Sequence, residues 1–227
     1  SGLKTLLLSS IYTGLIFCLC VLLLFMTDAK NQLQIIQLGL FWWLIALVLI
    51  VGYQQRLFDL PKHPLLLSFI GVIVLIPAWL SLVMLHQKQQ GALLVLLLFA
   101  LIWIADSLAY FAGRRWGKHR LADRVSPGKS WEGVLAAILS TILIGLGSTF
   151  YHNMDMIRYM VFSTLCLLTV ISSILGDLFE SLVKRSGQFK DSGGLLPGHG
   201  GVLDRIDSMT AAAPVFFCAL YWSGYWS

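Results

Sequence analysis

Apolar residues fall along this chain in seven long runs, near 5–27, 33–53, 65–86, 91–112, 132–151, 158–180 and 208–225, with most charged residues in the intervals between them. A helix needs roughly 20 apolar residues to cross the hydrocarbon core of a bilayer, and runs of about 18 or more are read as spans. The pattern predicts an all-α, polytopic transmembrane helical bundle of about seven spans. The first run is long for the apolar region of a signal peptide and lacks a small-residue cleavage site. The chain starts Ser1-Gly2 with no methionine, which reads as a processed start with further sequence upstream.

Composition agrees with a lipid solvent. Hydrophobic residues are 58% of the chain and charged residues 12%, with mean hydropathy +0.81; soluble domains carry about 25% charged residues. Cys18, Cys20, Cys166 and Cys218 all lie in apolar runs, without metal-ligand spacing, and read as packing or lipid-facing residues. Lys30, Lys88 and Arg158 fall in the intervals on one side, and the other 13 of the 16 Lys and Arg fall on the opposite side. The positive-inside rule makes that richer side cytoplasmic. Trp222, Tyr225 and Trp226 form an aromatic cluster suited to a lipid–water interface. Content divides the chain into N-terminal hydrophobic spans (1–100) and a catalytic membrane half (101–227) with cytoplasmic loops 113–131 and 184–207.

The working half begins inside the fourth run. Helical period places Trp103, Asp106 or Ser107, Tyr110 and Arg114 on one face. An ionisable residue within a span by default faces the bundle interior, either as a functional group or in a structural ion pair with a basic residue of the next loop. That loop carries six Lys and Arg from Arg114 to Lys129, which serve topology and attraction to anionic lipid. Ser126-Pro127-Gly128-Lys129-Ser130 adds a turn with phosphate donors. It is not a Walker A loop, because Asp123 stands where that motif needs glycine and no strand is expected before it.

The second loop carries more chemistry. Ser173, Asp177, Glu180 and Lys184 recur at steps of four, three and four, drawing a polar stripe down the sixth helix. Lys190-Asp191 follow, then glycines 193, 194, 198, 200 and 201 around Pro197 and His199, then Asp204-Arg205-Ile206-Asp207. Singly, Asp207 or Ser208 would cap the last helix, the glycines would mark a turn, and His199 would be an ordinary loop histidine. Together, Asp177, Asp191, Asp204 and Asp207 converge with Lys184, Arg185, Lys190 and Arg205 at one membrane surface. Hard cations such as Mg²⁺ take carboxylate and phosphate oxygens, basic side chains neutralise phosphates, and glycines admit backbone N–H groups. The layout is that of metal-assisted phosphoryl or nucleotidyl transfer. One histidine and no cysteine in the loop disfavour zinc, and no nucleophile elbow points to a serine hydrolase.

The stretch Ser181 to Asp207, SLVKRSGQFKDSGGLLPGHGGVLDRID, resembles the signature of the phosphatidate cytidylyltransferases (CDP-diacylglycerol synthases) over its whole length. Asp106, Tyr110, Gly113, Ser126 to Ser130 and Glu132-Gly133 resemble that family's other shared region. The likeness runs from the fourth span onward; the first half is similar only in being hydrophobic. It implies that a phosphate oxygen of phosphatidic acid attacks the α-phosphorus of CTP and pyrophosphate leaves, as a step of phospholipid biosynthesis. It also implies catalytic Mg²⁺ with a second cation, held by Asp177 and Asp204 with Asp207 in support. Lys184, Arg185, Lys190 and Arg205 are then expected to neutralise the triphosphate and the lipid head group. Asp191 is expected to orient a lysine or a water of the metal. Ser126 and Lys129 are expected to hold phosphate, with His199 in the substrate-binding loop but not needed as a base. CTP, phosphatidic acid and membrane lipids are the expected partners, with a homodimer as the assembly and no nucleic acid. The expected location is the bacterial inner membrane, with a polar cavity at the cytoplasmic side.

Two other readings remain at this stage. A CTP-dependent polyprenol or phytol kinase would move the γ-phosphoryl to an alcohol and release CDP. A transporter would use intramembrane acids for flux, but would not explain a basic, glycine-rich loop on one side. CDP-alcohol phosphotransferases are set aside because their Asp-Gly-x-x-Ala-Arg core is absent.

Overall fold

A computed structural model describes residues 2–60, 63–152, 155–187 and 201–224. The elements in chain order are α1 (Gly2–Met26), α2 (Ala29–Gln54), α3 (Pro64–His86), α4 (Gly91–Trp116), β1 (Arg120–Ala122), β2 (Ser126–Ser130), α5 (Trp131–His152), α6 (Met156–Ser186) and α7 (Leu203–Trp222). Each apolar run has become one helix. Four of them and most of α1 (Ser9–Met26) are long and apolar enough to cross a membrane, namely α1 to α4 and α6, while α5 adds a shorter apolar stretch, Trp131–Gly147. The chain is a multi-pass, all-α membrane protein.

Helix boundaries follow local chemistry. Asp28 caps α2 by accepting from the Asn31 N–H, and Asp155 caps α6 by accepting from the Arg158 N–H. Pro64 opens α3, where its missing N–H costs nothing. Ser130 is buried and its hydroxyl accepts from the Gly133 N–H, so the Ser-Pro-Gly-Lys-Ser segment ends as the cap of α5.

The bounds of the two loop intervals need correction. The interval 113–131 is not simply a loop, because α4 runs on to Trp116 and β1 and β2 then form an antiparallel hairpin with an irregular register, Arg120 opposite Ser130 and Ala122 opposite Ser126. The interval 184–207 begins as helix: α6 runs past its apolar run to Ser186, so Lys184 lies on the helix as the polar stripe expects and Arg185 is helical with it. Nothing breaks α6 before Gly187, and the Glu180–Lys184 pair one turn apart supports the extension. At its other end the interval 184–207 closes as helix: Asp204, Arg205 and Asp207 belong to the first turns of α7, as residues that open the last span should. At 31 residues α6 rises roughly 46 Å, more than a hydrocarbon core is thick.

Packing draws both halves of the chain together. Trp42 and Trp43 of α2 meet Phe179 of α6 edge-on, at 5.6 and 5.9 Å between ring centroids. Ala122 and Val125 of the hairpin are buried in the same cluster as Leu178 and Leu182 of α6. Arg124 fastens the hairpin to the end of α2. Its guanidinium donates to the Tyr53 carbonyl at 2.5 Å and lies 4.4 Å from the Tyr53 ring, and its backbone N–H donates to Gln54 Oε1 at 3.0 Å.

Helices α6 and α7 pack closely at Gly176. A Cβ there would stand 2.6 Å from the Asp207 carbonyl oxygen and 3.2 Å from the Ala211 Cβ. Gly176→Val is therefore expected to push α7 away from α6 and to destabilise the protein by about 2 kcal/mol. Thermal unfolding in detergent checks this, and an unchanged midpoint would contradict it.

Candidate active site

A polar cavity of about 710 Å³ opens where α4, the hairpin, α5, α6 and α7 meet. Helix α4 supplies Asp106, Tyr110 and Arg114, one turn apart, with Arg114 Nη1 donating to the Tyr110 hydroxyl at 3.0 Å. The hairpin supplies Arg120, Ser126, Gly128, Lys129 and Ser130, α6 supplies Asp177, and α7 supplies Asp204, Asp207 and Ser208. Four carboxylates and three cations thus line one space, although Asp106 and Ser208, both on its wall, are 102 residues apart along the chain.

These groups are already linked to one another. Lys129 Nζ lies 2.7 Å from Asp177 Oδ2, and Asp177 Oδ1 accepts from the Ser181 hydroxyl at 3.4 Å. Asp106 Oδ2 accepts from the Ser208 hydroxyl at 3.5 Å, tying α4 to α7. Asp204 is held through both oxygens, by Lys184 Nζ at 2.8 Å and by the Gly201 N–H at 2.7 Å. Lys184 also lies 2.6 Å from Glu180 Oε2, and Asp207 takes the Ser208 N–H at 2.7 Å. The polar stripe of α6 therefore divides. Asp177 faces the hairpin, Glu180 and Lys184 face α7, and Ser173 is buried with its hydroxyl on the Val170 carbonyl.

Among the residues picked from sequence, the cavity gathers Ser126, Lys129, Asp177, Asp204 and Asp207. Lys184 stands behind it, paired with Asp204. Arg185 and Arg205 are exposed and do not line it; Arg185 Nε donates to the Val125 carbonyl at 3.4 Å and so braces the hairpin. Lys190, Asp191 and His199 lie outside the described residues.

The cavity also holds Tyr110, Arg114, Arg120, Ser130 and Ser208, which the site assignment from sequence left out. Asp106 is an intramembrane acid by its place in the fourth apolar run, and the four-residue spacing of Asp106, Tyr110 and Arg114 is the signal for the other two. Nothing local marks Ser208 as a partner of Asp106. Nearby, Glu132 accepts from His119 Nδ1 at 2.8 Å and from its backbone N–H at 3.2 Å, closing the base of the hairpin onto α5.

A second cavity, about 330 Å³ and mostly apolar, lies between α1, α3, α6 and α7. Its wall includes Ile70, Val74 and Phe179, with Glu180 and Asp207 at its polar edge. Asp207 lines both cavities.

The profile of the cytidylyltransferase family matches residues 3–223. A phosphatidate cytidylyltransferase of Haemophilus influenzae is 42% identical over 184 residues, covering 77% of this chain and 64% of that protein. One from Pseudomonas aeruginosa is 43% identical over 192 residues, covering 85% and 70%. One from Thermotoga maritima is 33% identical over 205 residues, covering 78% and 76%. The chain thus spans slightly less than two thirds of the Haemophilus protein's length. With a profile match along nearly its whole length, the chain belongs to the cytidylyltransferase family.

Proposed function

We propose that this protein is a phosphatidate cytidylyltransferase, forming CDP-diacylglycerol and pyrophosphate from CTP and phosphatidic acid. The observation that carries the reading is the polar cavity where Asp106, Asp177, Asp204 and Asp207 meet Arg114, Arg120 and Lys129. The names of the relatives agree with it. The apolar cavity that shares Asp207 supports a lipid substrate, since one ligand with an acyl chain and a phosphate would fit across that boundary.

The reaction brings together two polyanions. An ionised phosphate oxygen of the lipid forms a bond to the α-phosphorus of CTP, and the bond from that phosphorus to the β-phosphate's bridging oxygen breaks. The electron pair leaves with pyrophosphate. The nucleophile is already deprotonated, so no general base is required and neither His119 nor His199 is assigned one. The task is electrostatic. Arg114, Arg120 and Lys129 would neutralise phosphate oxygens, and Ser126 would donate a hydrogen bond to them. Lys184, fixed by Glu180 and Asp204, keeps the Asp204 carboxylate turned toward the Gly201 N–H.

The donor set fits Mg²⁺. Asp177 and Asp207 present hard oxygen ligands from adjacent helices, with Asp204 one turn before Asp207. Among the described residues no three His, Cys, Asp or Glu side chains converge into a cage. That suits an ion which usually takes one or two carboxylates and completes its shell with substrate phosphates and water. When bound, it would offset charge on the α-phosphate and the departing pyrophosphate. A second cation is part of the same reading.

For orientation we propose that the cavity faces the cytoplasm across a bacterial inner membrane, with all seven helices as spans. The 13-to-3 asymmetry of Lys and Arg supports this, as does the meeting of the α2 and α6 C-terminal ends with the hairpin. Arg158→Ala, at the opposite end of α6, is expected to leave turnover within about twofold of wild type. A tenfold loss in the same assay would contradict the assigned sidedness. Labelling the nucleotide on its α-phosphate tests the reaction itself: label must enter the lipid, and its release as CDP would favour a lipid-alcohol kinase instead.

A further inference from the structure

The Asp177 carboxylate, a ligand in the proposed cation site, already has a cation of the chain's own against it. Lys129 Nζ sits 2.7 Å from Oδ2, and the Ser181 hydroxyl donates to Oδ1. The pair is on the cavity wall, with Lys129 24% and Asp177 30% exposed, so an arriving solute reaches it without local unfolding. The backbone beneath Lys129 is pinned on both sides. Ser130 is buried as the cap of α5, Val125 is fully buried, and Arg124 and Arg185 tie the hairpin to α2 and α6. Gly128, next to it, has open space where a side chain would be. What can move is the four-carbon stem of the lysine.

We propose that Lys129 is an internal counter-cation that occupies Asp177 in the empty site and is drawn off by a nucleotide phosphate, so that divalent cation and nucleotide bind cooperatively. An ammonium and a divalent ion on one carboxylate oxygen repel each other, so either occupant excludes the other. A phosphate oxygen is an equally good partner for the ammonium, and it lies within reach when a triphosphate enters the same cavity. Transfer of Lys129 to phosphate frees Oδ2 for the cation that the phosphate also helps to bind. By linkage, nucleotide tightens cation binding by the same factor as cation tightens nucleotide. The device keeps Asp177 from holding a cation unproductively before substrate arrives. It rests on the cation site of the proposed function.

The test uses Mn²⁺ alone as probe, titrated into the purified full chain in detergent and followed by the electron paramagnetic resonance signal of free Mn²⁺. Without nucleotide, Lys129→Gln is expected to bind Mn²⁺ about tenfold tighter than wild type, the size expected for removing one close, partly exposed charge. Lys129→Arg keeps the charge and is expected to bind as weakly as wild type, which separates the effect from general disruption. Asp177→Asn is expected to abolish the gain. If Lys129→Gln binds no tighter while Asp177→Asn still removes binding, the cation site stands and the counter-cation role is overturned. If Mn²⁺ binding is indifferent to Asp177→Asn, the cation site falls, and the inference falls with it.

Discussion

Asp204→Asn is expected to lower CDP-diacylglycerol formation by about a thousandfold or more while leaving the helical content unchanged. Asp204 accepts from two directions, from Lys184 Nζ at 2.8 Å and from the Gly201 N–H at 2.7 Å. An asparagine offers one acceptor and one NH₂ group, so whichever way it turns, a donor faces a donor. It also removes a negative charge from the cavity wall where Asp106, Asp177 and Asp207 supply the others. The lysine that Asp204 steers is then free to pair with Glu180 alone. Turnover is measured by transfer of α-labelled CTP to lipid, and fold by circular dichroism in the same detergent. Retention of more than a tenth of wild-type activity would remove Asp204 from the reacting site.

The second large effect is expected at Lys184, through stability as well as activity. Its ammonium serves two carboxylates, Glu180 at 2.6 Å and Asp204 at 2.8 Å. The Glu180 side chain is 8% exposed, so solvent cannot take over the neutralisation. Removing one partner of a buried ion pair leaves an uncompensated charge and costs about 3 kcal/mol. Lys184→Met is expected to lose about that much stability in denaturant titration, together with most activity. Lys184→Arg keeps the charge in a bulkier, forked head and should recover stability more fully than turnover. A methionine variant as stable as wild type would show that the pair is not load-sharing between α6 and α7.

Much of this architecture is legible in the residue pattern, for a physical reason. In a bilayer the backbone must satisfy its own hydrogen bonds, so each apolar run has little choice but to be a helix. All seven runs did become helices. The acids were legible for a related reason: Asp106 and Asp177 stand where charge is costly, and Asp204 and Asp207 open a helix at the same level. The hairpin was not legible. Its strands are three and five residues long, too short for a periodic signal, and the Pro127-Gly128 pair reads as a turn. What makes it a hairpin is tertiary: burial of Val125 against α6, Arg124 on the end of α2, and His119 on Glu132.

Pairings across long sequence distance were equally hidden. Lys129 meets Asp177 and Ser208 meets Asp106 only because α4, α6, α7 and the hairpin share one cavity. Arg185 is a further case. The signature marks it as a basic residue, and nothing local shows that its side chain also donates to the Val125 carbonyl. Arg124, counted from sequence only toward membrane sidedness, turns out to hold the hairpin in place.

The cavity is proposed to transfer a cytidylyl group to a lipid phosphate. The most direct measurement incubates the purified protein with phosphatidic acid, α-labelled CTP and Mg²⁺ in mixed micelles, then extracts the lipid and assays pyrophosphate. The expected result is label in the organic phase, pyrophosphate released one for one with it, and loss of both on adding EDTA. Label remaining in aqueous CDP, with γ-phosphate on a lipid alcohol or no lipid labelled by an intact, full-length preparation, would rule out cytidylyl transfer by this cavity.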